Sequence, residues 1–236
     1  MHKRLIEQWD QAKATLERMA QGALVRPDDA VAFIKYVETP KTPDVAKFEI
    51  APVVFNVPER ADDTNSLLFV VAYGWLELSR TEFKKNKSLV THSFATQTGY
   101  FRWDGSHLNH VYGAHHDLEV DKLGHPTFHS QMRSYPELHQ VIAREFDIND
   151  PVQNQIGAVL RNVRLPTAQM DFFSLVLQVF ADHLLIANST PEEKDAFNSL
   201  LEYNKTLKGA ASRSERLTAD IARTCYRAMH WYPVVP

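Results

Sequence analysis

The middle of the chain is a succession of β-branched and aromatic runs separated by turn residues. That succession constrains the fold more than any other feature. Phe48–Val57, Leu67–Leu78, Ser88–Phe94, Thr98–Trp103, His107–Val120 and Thr127–Met132 all read as strands. Asp104-Gly105 lies between two of them. It is a strong hairpin signal, because a tight two-residue turn needs the positive φ that glycine adopts without strain. Glu82–Lys87 reads as a charged turn, Gly124-His125-Pro126 as a second break, and Gly113 as a place for the return strand to bend. Strands joined by short turns pair with their chain neighbours, so the pattern predicts an antiparallel meander of four to six strands.

Helical periodicity brackets the meander. Leu5, Trp9, Ala12, Leu16 and Met19 recur at spacings of three and four, which predicts an amphipathic helix of about five turns. Pro27-Asp28-Asp29 opens a second predicted helix through Tyr36, ended by Thr39-Pro40-Lys41-Thr42-Pro43. In the last third, Val152–Val163 reads as a helix. Thr167 is placed to cap the next one, which runs to about Ala187 with Asp171, Ser174, Gln178 and Asp182 as one polar stripe. Thr190-Pro191-Glu192-Glu193 starts another. A final helix from Ser212 or Ser214 carries Leu217, Ile221, Cys225 and Met229 on one face. The expected fold is therefore α+β in one domain of 236 residues. A helical N-terminal part (1–45) precedes a central antiparallel sheet (46–135), and a C-terminal helical layer (150–232) covers one face.

Composition removes several function classes. Twenty-nine acids against 26 bases give a net charge of −3, which argues against a surface dedicated to coating DNA. Cys225 is the only cysteine, so the chain can form no internal disulfide and no thiolate-rich zinc site. The most apolar stretch, Phe172–Ile186, carries Asp182 and His183 and falls short of the roughly 20 apolar residues a bilayer requires. The start, Met1–Glu7, turns acidic before any apolar run, unlike a secretory signal. A cytoplasmic protein with no membrane partner is expected. With eight glycines there is no G-x-G-x-x-G and no phosphate-cradling loop, and neither G-x-S-x-G nor H-E-x-x-H occurs.

The candidate chemistry lies in histidines. Six of the eleven fall between 107 and 129: His107, His110, His115, His116, His125 and His129. Such clustering suggests acid–base or metal work. Strand geometry narrows it, because side chains alternate faces. His115 and Asp117, with Glu119 and Asp121, share one face at a spacing suited to two ligands of a divalent metal. Ala114, His116, Leu118 and Val120 take the other. The same alternating acidic face also describes a solvated sheet surface, so a metal fits the pattern without being required. His125 and His129 on one strand stand roughly 13 Å apart. They cannot then share an ion that needs both nitrogens within about 2.1 Å. His107 and His110 fall on opposite faces unless a bulge intervenes. A site assembled across strands is open to Asp104, His110, His125 and His129. In it His110 or His129 would be the general base or a metal ligand, and Asp104 would orient it. Arg161 and Arg164 precede the helix predicted to start at Thr167. They point to an anion-binding spot to which Arg102, Arg133 and Arg144 can add. The alternative is a wet sheet face with one or two core histidines, and arginines paired with Asp147, Asp150 or Asp171.

Four short motifs carry a resemblance. Tyr100-Phe101-Arg102-Trp103-Asp104 precedes His125-Pro126-Thr127-Phe128-His129-Ser130-Gln131. Arg164-Leu165-Pro166-Thr167-Ala168-Gln169-Met170-Asp171 then follows, and Ala181-Asp182-His183-Leu184 after it. Over roughly residues 95 to 186 the chain resembles a group of bacterial cytoplasmic proteins defined by a His-Pro-x-x-His element and an Arg-x-Pro-Thr helix start. The resemblance implies that the histidine and arginine elements form one unit, and it implies no particular reaction. The expectation from the sequence is a protein that binds or hydrolyses an anionic, phosphate-bearing ligand, a small molecule or a nucleic-acid phosphate, in a His/Arg-lined pocket. The competing expectation is a non-enzymatic subunit or regulator that meets a protein partner, or a second copy of itself, through exposed aromatics and the helical surface.

Overall fold

The computed structural model describes residues 1–19, 24–27, 29–38, 43–57, 67–118, 128–132, 136–146, 164–166, 170–184, 189–204 and 207–208. In chain order they form α1 (His2–Met19), β1 (Leu24–Arg26), α2 (Ala30–Phe33), β2 (Ile34–Val37), β3 (Val45–Val57), β4 (Leu67–Ser79), α3 (Arg80–Asn86), β5 (Leu89–Trp103), β6 (Leu108–Leu118), β7 (Phe128–Met132), α4 (Pro136–Phe146), β8 (Arg164–Pro166), α5 (Phe172–His183), α6 (Pro191–Asn204) and β9 (Leu207–Lys208). The architecture is α+β, as the pattern predicts.

The meander forms the middle of the sheet. β3, β4, β5, β6 and β7 pair antiparallel in chain order, and β8 extends the sheet beyond β7. β1 and β2 share the opposite edge, pairing with the two halves of β3, while β9 runs parallel to the start of β5. The two predicted strands 88–94 and 98–103 are one continuous strand. Gly74 is what lets β4 lie against it: a Cβ there would sit 2.0 Å from the Ala95 carbonyl oxygen, and its φ is +151°.

Alternation divides the core in two. One face carries Phe48, Val70, Ala72 and Leu76, buried under Leu5, Trp9 and Leu16 of α1 and Phe172, Val176 and Phe180 of α5. The Trp9 and Phe33 rings meet edge-on at 4.8 Å there. The other face carries Val54, Phe69, Val71, Phe101 and Leu108 under Leu138 and Ile142 of α4. α4 goes beyond the elements read from the sequence, although Pro136 at its first position and Leu138, Ile142 and Phe146 at spacings of four mark it.

Three local differences have physical causes. The helix expected to reach Tyr36 lasts one turn. It is capped by Asp29, whose carboxylate accepts from the Val31 N–H at 2.9 Å. Ile34, Tyr36 and Val37 then take the open edge of β3, where β-branched and aromatic side chains fit better than in a helix. The charged turn at 82–87 is a short helix, started by Ser79 and ended by Lys87 in the left-handed region at φ 55°. α5 starts at Phe172 rather than after Thr167, because the Asp171 carboxylate accepts from the N–H groups of Phe173 and Ser174. The helices expected at 152–163 and from 212 onward lie outside the described residues. No helix among the described residues is long and apolar enough to cross a membrane.

Candidate functional site

A bulge in β6 decides which side chains meet. Tyr100 pairs with Tyr112, but the next residue of β5, Phe101, pairs with His110, so Val111 is the extra residue. Tyr112, Ala114 and His116 therefore face α5, while His110 turns to the α4 side. Its ring there meets Phe101 edge-on at 4.9 Å and is 5% exposed.

On the α5 side a cleft of about 420 Å³ opens between the sheet and the C-terminal half of the helix. Thr98 and Tyr100 of β5 and Tyr112 and His116 of β6 form the sheet wall, and Gln178, Asp182 and His183 of α5 face them. The Tyr100 ring lies 5.9 Å from that of Tyr112 and 5.7 Å from that of His183. His116 is 7% exposed, and its Nδ1 has no hydrogen-bond partner among the described residues. Burial lowers the His116 pKa to about 4, with the His115 and His129 charges acting in the same direction and Asp117 against them. Burial also pushes the Tyr100 hydroxyl up to about 12, helped by Asp182 and Tyr112. At neutral pH the cleft therefore presents a neutral imidazole and a neutral phenol, with an exposed carboxylate, Asp182, at its rim.

The opposite side of the same strands carries a carboxylate held between two histidines. His115 Nε2 donates to Asp117 Oδ2 at 2.8 Å. His129 Nδ1, from the residue directly opposite on β7, lies 2.9 Å from Asp117 Oδ1. Burial alone would raise the Asp117 pKa. The bonds and charges of His115 and His129 more than offset this and hold the carboxyl well below the usual range. His129 is 2% exposed, so this cluster sits inside the sheet's α4 side.

The residues singled out by the sequence are thus brought together only in part. His115 and Asp117 do share a face, but they bond to each other instead of diverging around a common point. Among the described residues no group of three or more His, Cys, Asp or Glu side chains is arranged to hold a metal ion. His129 meets Asp117, not Asp104 or His110. The β5 partners of His110 and Asp117 are six residues apart, which is roughly 20 Å along the strand. Asp104 closes the hairpin: its carboxylate accepts from the N–H groups of Ser106 at 2.9 Å and His107 at 2.7 Å. Those backbone bonds lower its pKa to about 2. Arg102 is exposed opposite Asn109. Arg164 stands in β8 opposite Gln131 and not at a helix start. The first N–H groups of α5 are taken up by the Asp171 carboxylate. In the β7–β8 ladder His129 pairs with Pro166. His125 and Arg161 lie outside the described residues.

Tyr100, Tyr112, His116 and His183 escaped the sequence reading as site members. Alternation places Tyr112 and His116 on one face, and the polar stripe on α5 includes Gln178 and Asp182. The missing step was the pairing of that stripe with that face. No family model, no curated protein and no solved structure matches the chain.

Proposed function

We propose that the chain binds a small organic ligand in the α5 cleft, and that the ligand is an aryl amine. One observation carries the reading: a cleft of about 420 Å³ is walled by the Tyr100, Tyr112, His116 and His183 side chains and carries the Asp182 carboxylate among its lining residues. The volume lies within the roughly 300–1,000 Å³ typical of small-molecule sites. The Tyr100, Tyr112 and His183 rings offer faces and edges to an aromatic group.

Charge selects the rest of the ligand. Burial is the main reason the Tyr100 tyrosinate is disfavoured, and the Asp182 charge adds to it; the same charge disfavours a bound anion and favours an ammonium group. This moves the ligand class away from the phosphate expected from the sequence. A histidine with a pKa near 4 is also a weak general base at neutral pH, since proton transfer works best when the pKa lies near the working pH. That supports binding over proton-transfer catalysis. The protein-partner reading draws less support, because the exposed large apolar side chains among the described residues are spread over separate elements, such as Leu67 on β4, Val111 on β6 and Leu201 on α6.

Titration calorimetry with tyramine tests the proposal, using wild type, Asp182→Asn and His116→Phe. Saturable binding that weakens about tenfold in each variant is expected, equivalent to about 1.4 kcal/mol. Absence of saturable binding, or equal affinity in all three proteins, refutes it.

A further inference from the structure

A second cavity, of about 250 Å³, lies where the start of α1 crosses β2, β3 and α3. Its walls differ in kind from those of the α5 cleft. Three aromatic rings, Tyr36, Phe48 and Phe83, alternate with three basic side chains, His2, Arg80 and Lys84, and no carboxylate lines it among the described residues.

Arg80 is fixed in place. Its Nε donates to the Val45 carbonyl oxygen at 2.7 Å, a second guanidinium nitrogen donates to the Tyr36 hydroxyl, and the group stacks over the Tyr36 ring at 5.6 Å. Arginine presents five N–H donors, so these bonds leave others for a ligand. No carboxylate pairs with Arg80 or Lys84 among the described residues. More cations gather at the rim: Arg4 and Lys87 each lie 5.8 Å from the Phe83 ring centre. A held guanidinium beside a free ammonium is the usual recognition chemistry for phosphate, and the rings fit a planar group next to it. The volume is below the range of drug-sized ligands, so the occupant is small.

We infer that this cavity is a binding site for a small aryl phosphate. The aromatic group lies among Tyr36, Phe48 and Phe83, and the phosphate meets Arg80 and Lys84. The site is separate from the α5 cleft and does not depend on the function proposed there. It would also restore the phosphate ligand expected from the sequence, on residues other than those first considered.

The test is calorimetric titration of the full chain with phenyl phosphate, and with inorganic phosphate and phenol as its two halves. Phenyl phosphate is expected to bind saturably and at least tenfold more tightly than either half. Lys84→Gln and Arg80→Gln should each weaken it at least fivefold, while Lys194→Gln on α6, the same charge change at an exposed distant position, should not. Lys84 is exposed on α3, so its variant decides the matter if Arg80→Gln fails to fold. The inference is overturned if phenyl phosphate does not bind saturably, if inorganic phosphate binds as tightly, or if Lys84→Gln leaves the affinity unchanged.

Discussion

Acid should destabilise this protein through His116 well before its carboxylates are protonated, and the size of the effect follows from the burial of one ring. The folded-state pKa of His116 is about 4, against 6.5 for a free histidine. Between those values the unfolded chain binds a proton that the folded chain refuses, so stability rises with pH. The contribution is complete above about pH 6.5 and is lost as pH falls toward 4. At pH 5 the loss is RT ln[(1 + 10^1.5)/(1 + 10^−1)], or about 2 kcal/mol. For a chain of this size that is a fall of about 4–8 °C in Tm. His116→Gln keeps a polar side chain but removes the titration. Thermal melts at pH 7.5 and pH 5 on wild type and variant isolate the effect, because all other titrating groups are common to both. Wild type should lose about 2 kcal/mol more than the variant over that interval. Equal losses in the two proteins would show that His116 titrates normally, and the neutral cleft floor would have to be abandoned.

Two further predictions concern the same strands. Asp117→Asn removes the acceptor held between His115 and His129, and should destabilise the fold by about 2–4 kcal/mol at pH 7 in a urea titration. The pKa of Asp117 is lowered on folding, so its contribution is complete above the ordinary carboxyl range and fades progressively as pH falls below about 4 toward the much lower folded-state value; the gap between wild type and variant should narrow steadily over that range, and a gap that does not narrow contradicts the assignment. Gly74→Ala places a Cβ 2.0 Å from the Ala95 carbonyl oxygen at a φ of +151°, so β4 and β5 must part, at a cost of about 3 kcal/mol or more; a variant as stable as wild type in thermal melts would refute that close approach.

The long elements were legible in the sequence because their periodicity is strong. The α1 stripe of Leu5, Trp9, Ala12 and Leu16 is wholly buried, and the Asp104-Gly105 turn closes the hairpin between β5 and β6. Elements of two to four residues, such as β1, β8 and β9, are too short to show any period. Their pairing comes from sheet edges that exist only after folding. α2 ends early for the same reason: β3 offers Ile34–Val37 a ladder that local propensity does not foresee.

The candidate site was legible only in part: the histidine strands and the polar stripe of α5 could be read, but not the residues of the cleft as one site. Strand alternation put His115 with Asp117 and set His116 on the opposite face, and both placements hold. The bulge at Val111 could not be located from the sequence, and it is what parts His110 from Tyr112 and His116. Nor could the sequence reveal that Asp104 is occupied by its own turn, or that residue 164 begins a strand instead of preceding a helix.

The most direct test of the α5 cleft is the ¹⁵N resonance of the His116 ring nitrogens during a tyramine titration at pH 7. A neutral imidazole whose ring nitrogens shift saturably as tyramine binds, while the His110 ring on the α4 side stays unchanged, is the predicted result. A His116 ring that is protonated before ligand is added, or that does not move as tyramine saturates the protein, would contradict the assignment.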